Sequence, residues 1–164
     1  MASLTIACMR DEPPIAQQFA QQCVDFSSQY GFPEFIGFSR VVRGWATARQ
    51  GHPLEGLEDM QAGLGLWKMT GFENWQTWFA VLKVDVLLML GCTAQALDDI
   101  DEQLARIQHN SENQFRSLLI AEKAVVLRAG GEDAAKVQAL FDEAAALAQA
   151  QGAVAWTQRI NKQR

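Results

Sequence analysis

The sequence has no basic block beyond the short tail "RINKQR", and its 164 residues carry 14 Lys and Arg against 19 Asp and Glu, a net charge of −5. Backbone-phosphate binding needs clustered cations, so nucleic acid is not an expected partner. Cysteine is scarce: Cys8, Cys23 and Cys92 are widely spaced. They make neither a disulfide framework nor a paired metal site, and they suit a reducing, cytoplasmic compartment. With only two histidines, His52 and His109, no metal centre or other cofactor is expected. The most apolar run, "WFAVLKVDVLLML" at 78–90, contains Lys83 and Asp85 and is too short to span a bilayer. The opening "MASLTIACMRDEPP" lacks a charged segment ahead of its apolar residues, so no secretory signal and no membrane role are expected. A phosphate-binding GxxxxGK[ST] loop is missing; "AGLGLWK" at 62–68 has the glycines without the spacing. No nucleophile–base pair stands out, and the single tyrosine, Tyr30, falls on an apolar stripe. An enzyme is not expected.

What the chain does have is a repeat. "YGFPEFIGF" begins at residue 30 and "TGFENWQTWF" at residue 70, each with a Gly-Phe pair followed by a large aromatic. That aromatic recurs as Phe35, Trp75, Phe115 and Trp156, at spacings of 40, 40 and 41. The glycine recurs as Gly31, Gly71 and Gly152, with Ser111 in the third copy, and a second series runs Gly51, Gly91, Gly131. About 18 residues of helical pattern separate consecutive markers, so each period holds two helices and two turns. Ile15, Phe19, Cys23, Phe26 and Tyr30 form one stripe at three- and four-residue steps. Phe35, Phe38, Val42, Trp45 and Ala46 form a second; Leu97, Ile100, Leu104 and Ile107 a third; Val137, Leu140, Phe141, Ala144 and Leu147 a fourth. No segment alternates long enough to be a strand. The fold class is all-α, with helices expected near 13–30, 34–50, 53–70, 73–90, 93–109, 112–129 and 132–151 and a short tail helix.

Glycine inside a helix costs about 1 kcal/mol against alanine, so Gly44, Gly56 and Gly63 need a reason. With Gly51 set at position 15 they occupy positions 8, 20 and 27, where a tetratricopeptide repeat needs small residues because its two helices approach most closely. Val84 and Ala124, Ala16 and Ala96, and Cys23, Gln103 and Ala144 are the counterparts, with Gln103 the misfit. The stretches "QYGFPEF", "RGWATARQGHPLEGL", "LWKMTG", "GCTAQALDDIDEQLA" and "FDEAAALAQAQGA" together resemble the C-terminal helical segment of bacterial multidomain nucleotide cyclases and signal-transducing ATPases. The likeness covers roughly residues 13–153. It implies an α-α superhelix of about 3.5 repeats of ~40 residues, forming one domain over 1–164 with units near 1–31, 32–71, 72–111 and 112–152 and a tail at 153–164. It also implies an interaction or regulatory part of a signalling protein, without catalysis. Family members continue past "QGA" into a long apolar helix where this chain has "VAWTQRINKQR", so an unclosed end and self-association are expected.

Two features point to a binding face. Trp45 and Trp78 fall at positions 9 and 2, conventionally groove-facing, beside Phe38, Val41, Val81 and Asp85; the bland alternative is plain core. Arg43, Lys83 and Lys123 recur at intervals of 40 at position 7, a cation ladder for an acidic peptide or anion unless they snorkel past the helices to water. Both sets cannot line the same groove. The acidic run Asp98, Asp99, Asp101 and Glu102 is read as a solvated face near a helix N-terminus, and His52 and His109 as structural or surface residues. The expected function is a scaffold that binds a protein or peptide along the concave face of the solenoid, with a homodimer as the form that self-association would take. The alternative is a regulatory module that senses a small molecule in the aromatic groove.

Overall fold

A computed structural model describes residues 2–107 and 112–164; the sequence readings on His109 and Ser111 lie outside those residues. Among the described residues the chain is all-α: α1 (Ala2–Met9), α2 (Pro13–Tyr30), α3 (Pro33–Arg49), α4 (Pro53–Met69), α5 (Gln76–Met89), α6 (Thr93–Ile107), α7 (Arg116–Ala129), α8 (Ala134–Ala150) and α9 (Val154–Gln163). The helices gather into two compact units, Met1–Glu73 and Asn74–Arg164. None of the described helices is long and apolar enough to cross a membrane.

The turns follow from the glycine series. At Gly31 the backbone takes φ 75°, open to glycine at no steric cost, and the next amide, Phe32 N, donates back to Ser27 O at 2.9 Å. The same closing bond recurs at His52 to Thr47, Cys92 to Leu87, Glu132 to Leu127 and Ala153 to Ala148, so the repeat is written in hydrogen bonds as well as residues. Helix starts are marked differently in the two units. Pro13, Pro33 and Pro53 begin α2, α3 and α4, where a missing N–H costs nothing. In the second unit Asp133 caps α8 with its carboxylate, accepting from Ala135 N at 3.0 Å and Lys136 N at 3.2 Å. Asp133→Ala should lower stability by about 1 kcal/mol, read as a lower urea midpoint at unchanged slope.

Three elements differ from expectation: α7 begins at Arg116 rather than near 112, after a 3-10 turn over Asn113–Phe115. α1 is absent from the sequence reading, although Leu4, Ala7 and Cys8 are buried at helical spacing. α5 begins at Gln76 rather than near 73, because Trp75 takes the left-handed conformation at φ 67° and stops the helix from starting earlier.

In the first unit, α3 and α4 pack face to face around Phe38, Val41, Val42, Trp45, Met60 and Trp67, all buried. Their backbones approach at two glycine pairs, Gly44 with Gly56 and Gly37 with Gly63. The second unit is centred on α5 and α7, with Phe79, Leu82, Leu87, Leu118 and Leu119 buried beside Ile100 of α6 and Phe141 of α8. The expected open end is covered at this point: α9 packs on α7 and α8 and buries Ile160.

Candidate functional site

The repeat aromatics have a packing role. Trp75, Trp78 and Trp156 meet around Phe115, with ring centroids 5.7 to 6.0 Å from it, and Trp78 stacks on Trp156 at 6.2 Å, at the N-terminal ends of α5, α7 and α9. Trp156 Nε1 donates to Gln114 O at 3.0 Å. Beside the cluster, Glu112 reaches the start of α5 and accepts from Thr77 N at 3.1 Å and Thr77 Oγ1 at 2.8 Å, placing a buried carboxylate at the positive end of that helix.

The groove expected from Phe38, Val41, Trp45, Trp78 and Val81 is not a surface. All five side chains are buried, Trp45 and Phe38 inside the first unit and Trp78 and Val81 inside the second. Large apolar side chains on a helix flanked by partners go into the core, and no peptide or small molecule can touch them while the packing holds. Trp78 Nε1 is buried without a hydrogen-bond partner, which marks an indole held there for its ring area.

The cation ladder also turns inward. Arg43 Nε donates to Asp59 Oδ2 at 2.7 Å and its Nη1 to Gln21 Oε1 at 2.8 Å; Arg40 shares the same aspartate. Lys83 pairs with Asp99 at 2.7 Å and Lys123 with Asp101 at 2.6 Å. The partners obey the period too. Asp59 and Asp99 lie 16 residues after their cations, and Gln21 and Asp101 lie 22 before theirs. Position 7 therefore joins each helix to its neighbours; Asp98, Asp101 and Glu102 of the acidic run are exposed as expected, while Asp99 is half-buried against Lys83. Arg43 and Arg40 hold the Asp59 carboxyl below its ordinary range, outweighing the desolvation that pushes it up. His52 is exposed, 3.6 Å from Glu55.

Asp85, expected beside the groove, instead belongs to a buried polar cluster that the sequence reading missed. Arg159 Nη2 of α9 donates to Glu122 Oε1 of α7 at 3.0 Å and to Asp85 Oδ2 of α5 at 3.3 Å, and Gln163 Nε2 donates to the same Glu122 oxygen at 2.8 Å. Glu122 Oε2 and Gln163 Oε1 are buried without partners. Burial, and then the nearby Asp85 charge, push the Glu122 carboxyl up to about 7, against Arg159 and the Gln163 hydrogen bond. A signal existed: the counterparts of Glu122 are Val42 and Leu82, so a carboxylate stands where the repeat is apolar.

Among the described residues, α2 carries an open apolar stripe. Ile15, Phe19, Phe26 and Tyr30 of α2 are 43, 40, 59 and 56% exposed, whereas the small residues Ala16, Ala20 and Ser27 carry the contact with the rest of the unit. An apolar stripe of this regularity is ordinarily core, and here its four large residues reach solvent. Among the described residues no group of three or more His, Cys, Asp and Glu is placed to hold a metal. Compared with protein-family models, curated proteins and solved structures, the chain finds no match.

Proposed function

We propose that the chain is a non-catalytic, tetratricopeptide-like scaffold that binds a protein through the open face of α2. The observation that carries this is the exposed stripe Ile15, Phe19, Phe26 and Tyr30, contiguous on one helix, on a chain whose other large side chains are mostly interior. Contiguous apolar surface of this kind marks interaction sites, and aromatic residues supply contact area at small entropic cost. In the cluster Asp85–Glu122–Arg159 the charges are paired with one another across three helices, which suits a structural role better than acid–base chemistry. The 40-residue period and the recurrent helix-pair turns support the solenoid reading, and three free cysteines suit a reducing, cytoplasmic setting.

The test is a photo-crosslinking phenylalanine analogue placed at position 26, and separately at exposed Leu54 of α4, in the cells that make the protein. A discrete protein adduct at position 26 and none at position 54 is the expected result. Equal, diffuse labelling at both positions, or none at either, overturns the proposal.

A further inference from the structure

We propose that the occupant of the α2 face is a second copy of the same face, packed antiparallel across a two-fold axis. The inference rests on the scaffold reading and names its partner. At about 100° per residue, Ile15, Phe26, Phe19 and Tyr30 fall within an arc of roughly 60° on α2, beside the Ala16–Ala20–Ser27 face that the rest of the unit covers. α1 cannot shield the whole stripe: its eight residues span about 12 Å against about 27 Å for the 18 of α2. The two most exposed rings, Phe26 and Tyr30, lie in the half away from the α1–α2 turn, in contact with each other at 4.6 Å between centroids.

Three features select this chain itself as the partner. The stripe is symmetric along the helix: residues 15 and 30 lie equally far from the midpoint between 22 and 23, and so do 19 and 26. In an antiparallel pair Ile15 therefore meets Tyr30 of the other copy, and Phe19 meets Phe26, twice over, as an isologous interface requires. Charge is nearly absent: among 18 residues α2 has one ionisable charge, Asp25, which lies off the stripe. A neutral face offers nothing to an acidic or basic peptide and nothing to repel its own copy, and charge depletion is the compositional mark of interface cores. The rim, finally, is glutamine: Gln18, Gln22 and Gln29 are exposed, and in this register Gln22 faces Gln22 of the second copy while Gln18 comes nearly level with Gln29, so these amides can hydrogen-bond across the axis.

Sedimentation velocity of the purified full chain tests the pairing, from about 1 µM to several hundred µM. Four partly exposed side chains on one helix make a small interface beside the roughly 800 Å² per partner of a standard one, so half-dimerisation is expected at about tens of micromolar. Phe19→Glu with Phe26→Glu should abolish the dimer while leaving the helical circular dichroism unchanged, and at about 1 µM, where wild type is also monomeric, the two should melt within a few degrees of each other. Raising sodium chloride from 0.05 to 0.5 M should change the dissociation constant by less than about threefold. Mild oxidation should link Cys23, next to the axis, to Cys23 of the second copy, identified by peptide mass. A wild-type monomer at every concentration overturns the proposal, as does a dimer that survives the double substitution, collapses in salt or cross-links elsewhere. If the wild type is monomeric while position 26 still captures a different protein in cells, self-pairing fails and the scaffold stands. If position 26 captures nothing, both fail.

Discussion

Gly44→Ala is expected to lower the unfolding free energy by about 3 kcal/mol, while Gly65→Ala, on the same pair of helices, should raise it by about 0.5 to 1 kcal/mol. The two substitutions are chemically identical and differ only in what the new methyl meets. A Cβ built on Gly44 runs into Gly56 O and lies 2.6 Å from Met60 Cγ and 2.8 Å from Met60 N. Two of those three atoms are backbone, so no rotamer change relieves the clash; α3 and α4 must separate. Separation opens space around Phe38, Trp45 and Met60, which adds a packing loss to the strain. The approach is reciprocal, because a Cβ on Gly56 meets Gly44 O and Ala48. Gly65 has nothing within 4 Å of its Cβ position, so alanine there only removes the backbone entropy that glycine carries in a helix. Urea titration followed by tryptophan emission reads both effects as opposite shifts of the midpoint. Equal shifts for the two variants would remove the close-approach explanation.

That contrast shows what the sequence makes legible. The cost of glycine in a helix flagged Gly44, Gly56 and Gly63, and the period told which residues they face. Gly37, the fourth member, escaped notice because its counterpart Thr77 is not small in a diagnostic way. In the second unit the close-approach positions hold Val84, Ala96 and Gln103, so a pattern stated in glycines could not carry over.

Faces were harder to assign than helices. Periodicity says which side chains share a stripe, not which neighbour covers it. Ile15, Phe19, Phe26 and Tyr30 are as regular as Phe38, Val42 and Trp45, yet the first set is open and the second enclosed. The deciding information lies in the small residues: Ala16 and Ala20 admit a close neighbour on one side of α2 and leave the bulky residues aside. The position-7 cations were legible in principle, since Asp59 and Asp99 repeat with the same spacing as Arg43 and Lys83. Reading anions in the same register as cations would have shown pairs in place of a ladder.

The second large effect concerns Glu122 and Arg159. Burial and Asp85 hold the folded Glu122 carboxyl at about 7, above the 4.5 of an ordinary glutamate. A raised folded value means the folded chain binds that proton more tightly. The contribution to stability is therefore fully present below about pH 4.5, and it is lost as pH rises through about 7. Glu122→Gln keeps the shape and the acceptor for Arg159 and removes the titration. The variant should match wild type at pH 5 and exceed it by about 2 to 3 kcal/mol at pH 8. Arg159→Met should act in the opposite sense. It removes the guanidinium that Asp85 and the buried Glu122 share, at a cost of about 3 to 5 kcal/mol at pH 8. That cost should shrink at pH 5, where Glu122 takes up a proton. Combining the two substitutions should recover part of the loss at pH 8, because a single carboxylate, Asp85, then remains. Melting curves of the three variants at pH 5 and pH 8 check all of this. A Glu122→Gln difference that does not change with pH would mean that Arg159 keeps the carboxylate ionised throughout, and the cluster would then be a plain buried ion pair.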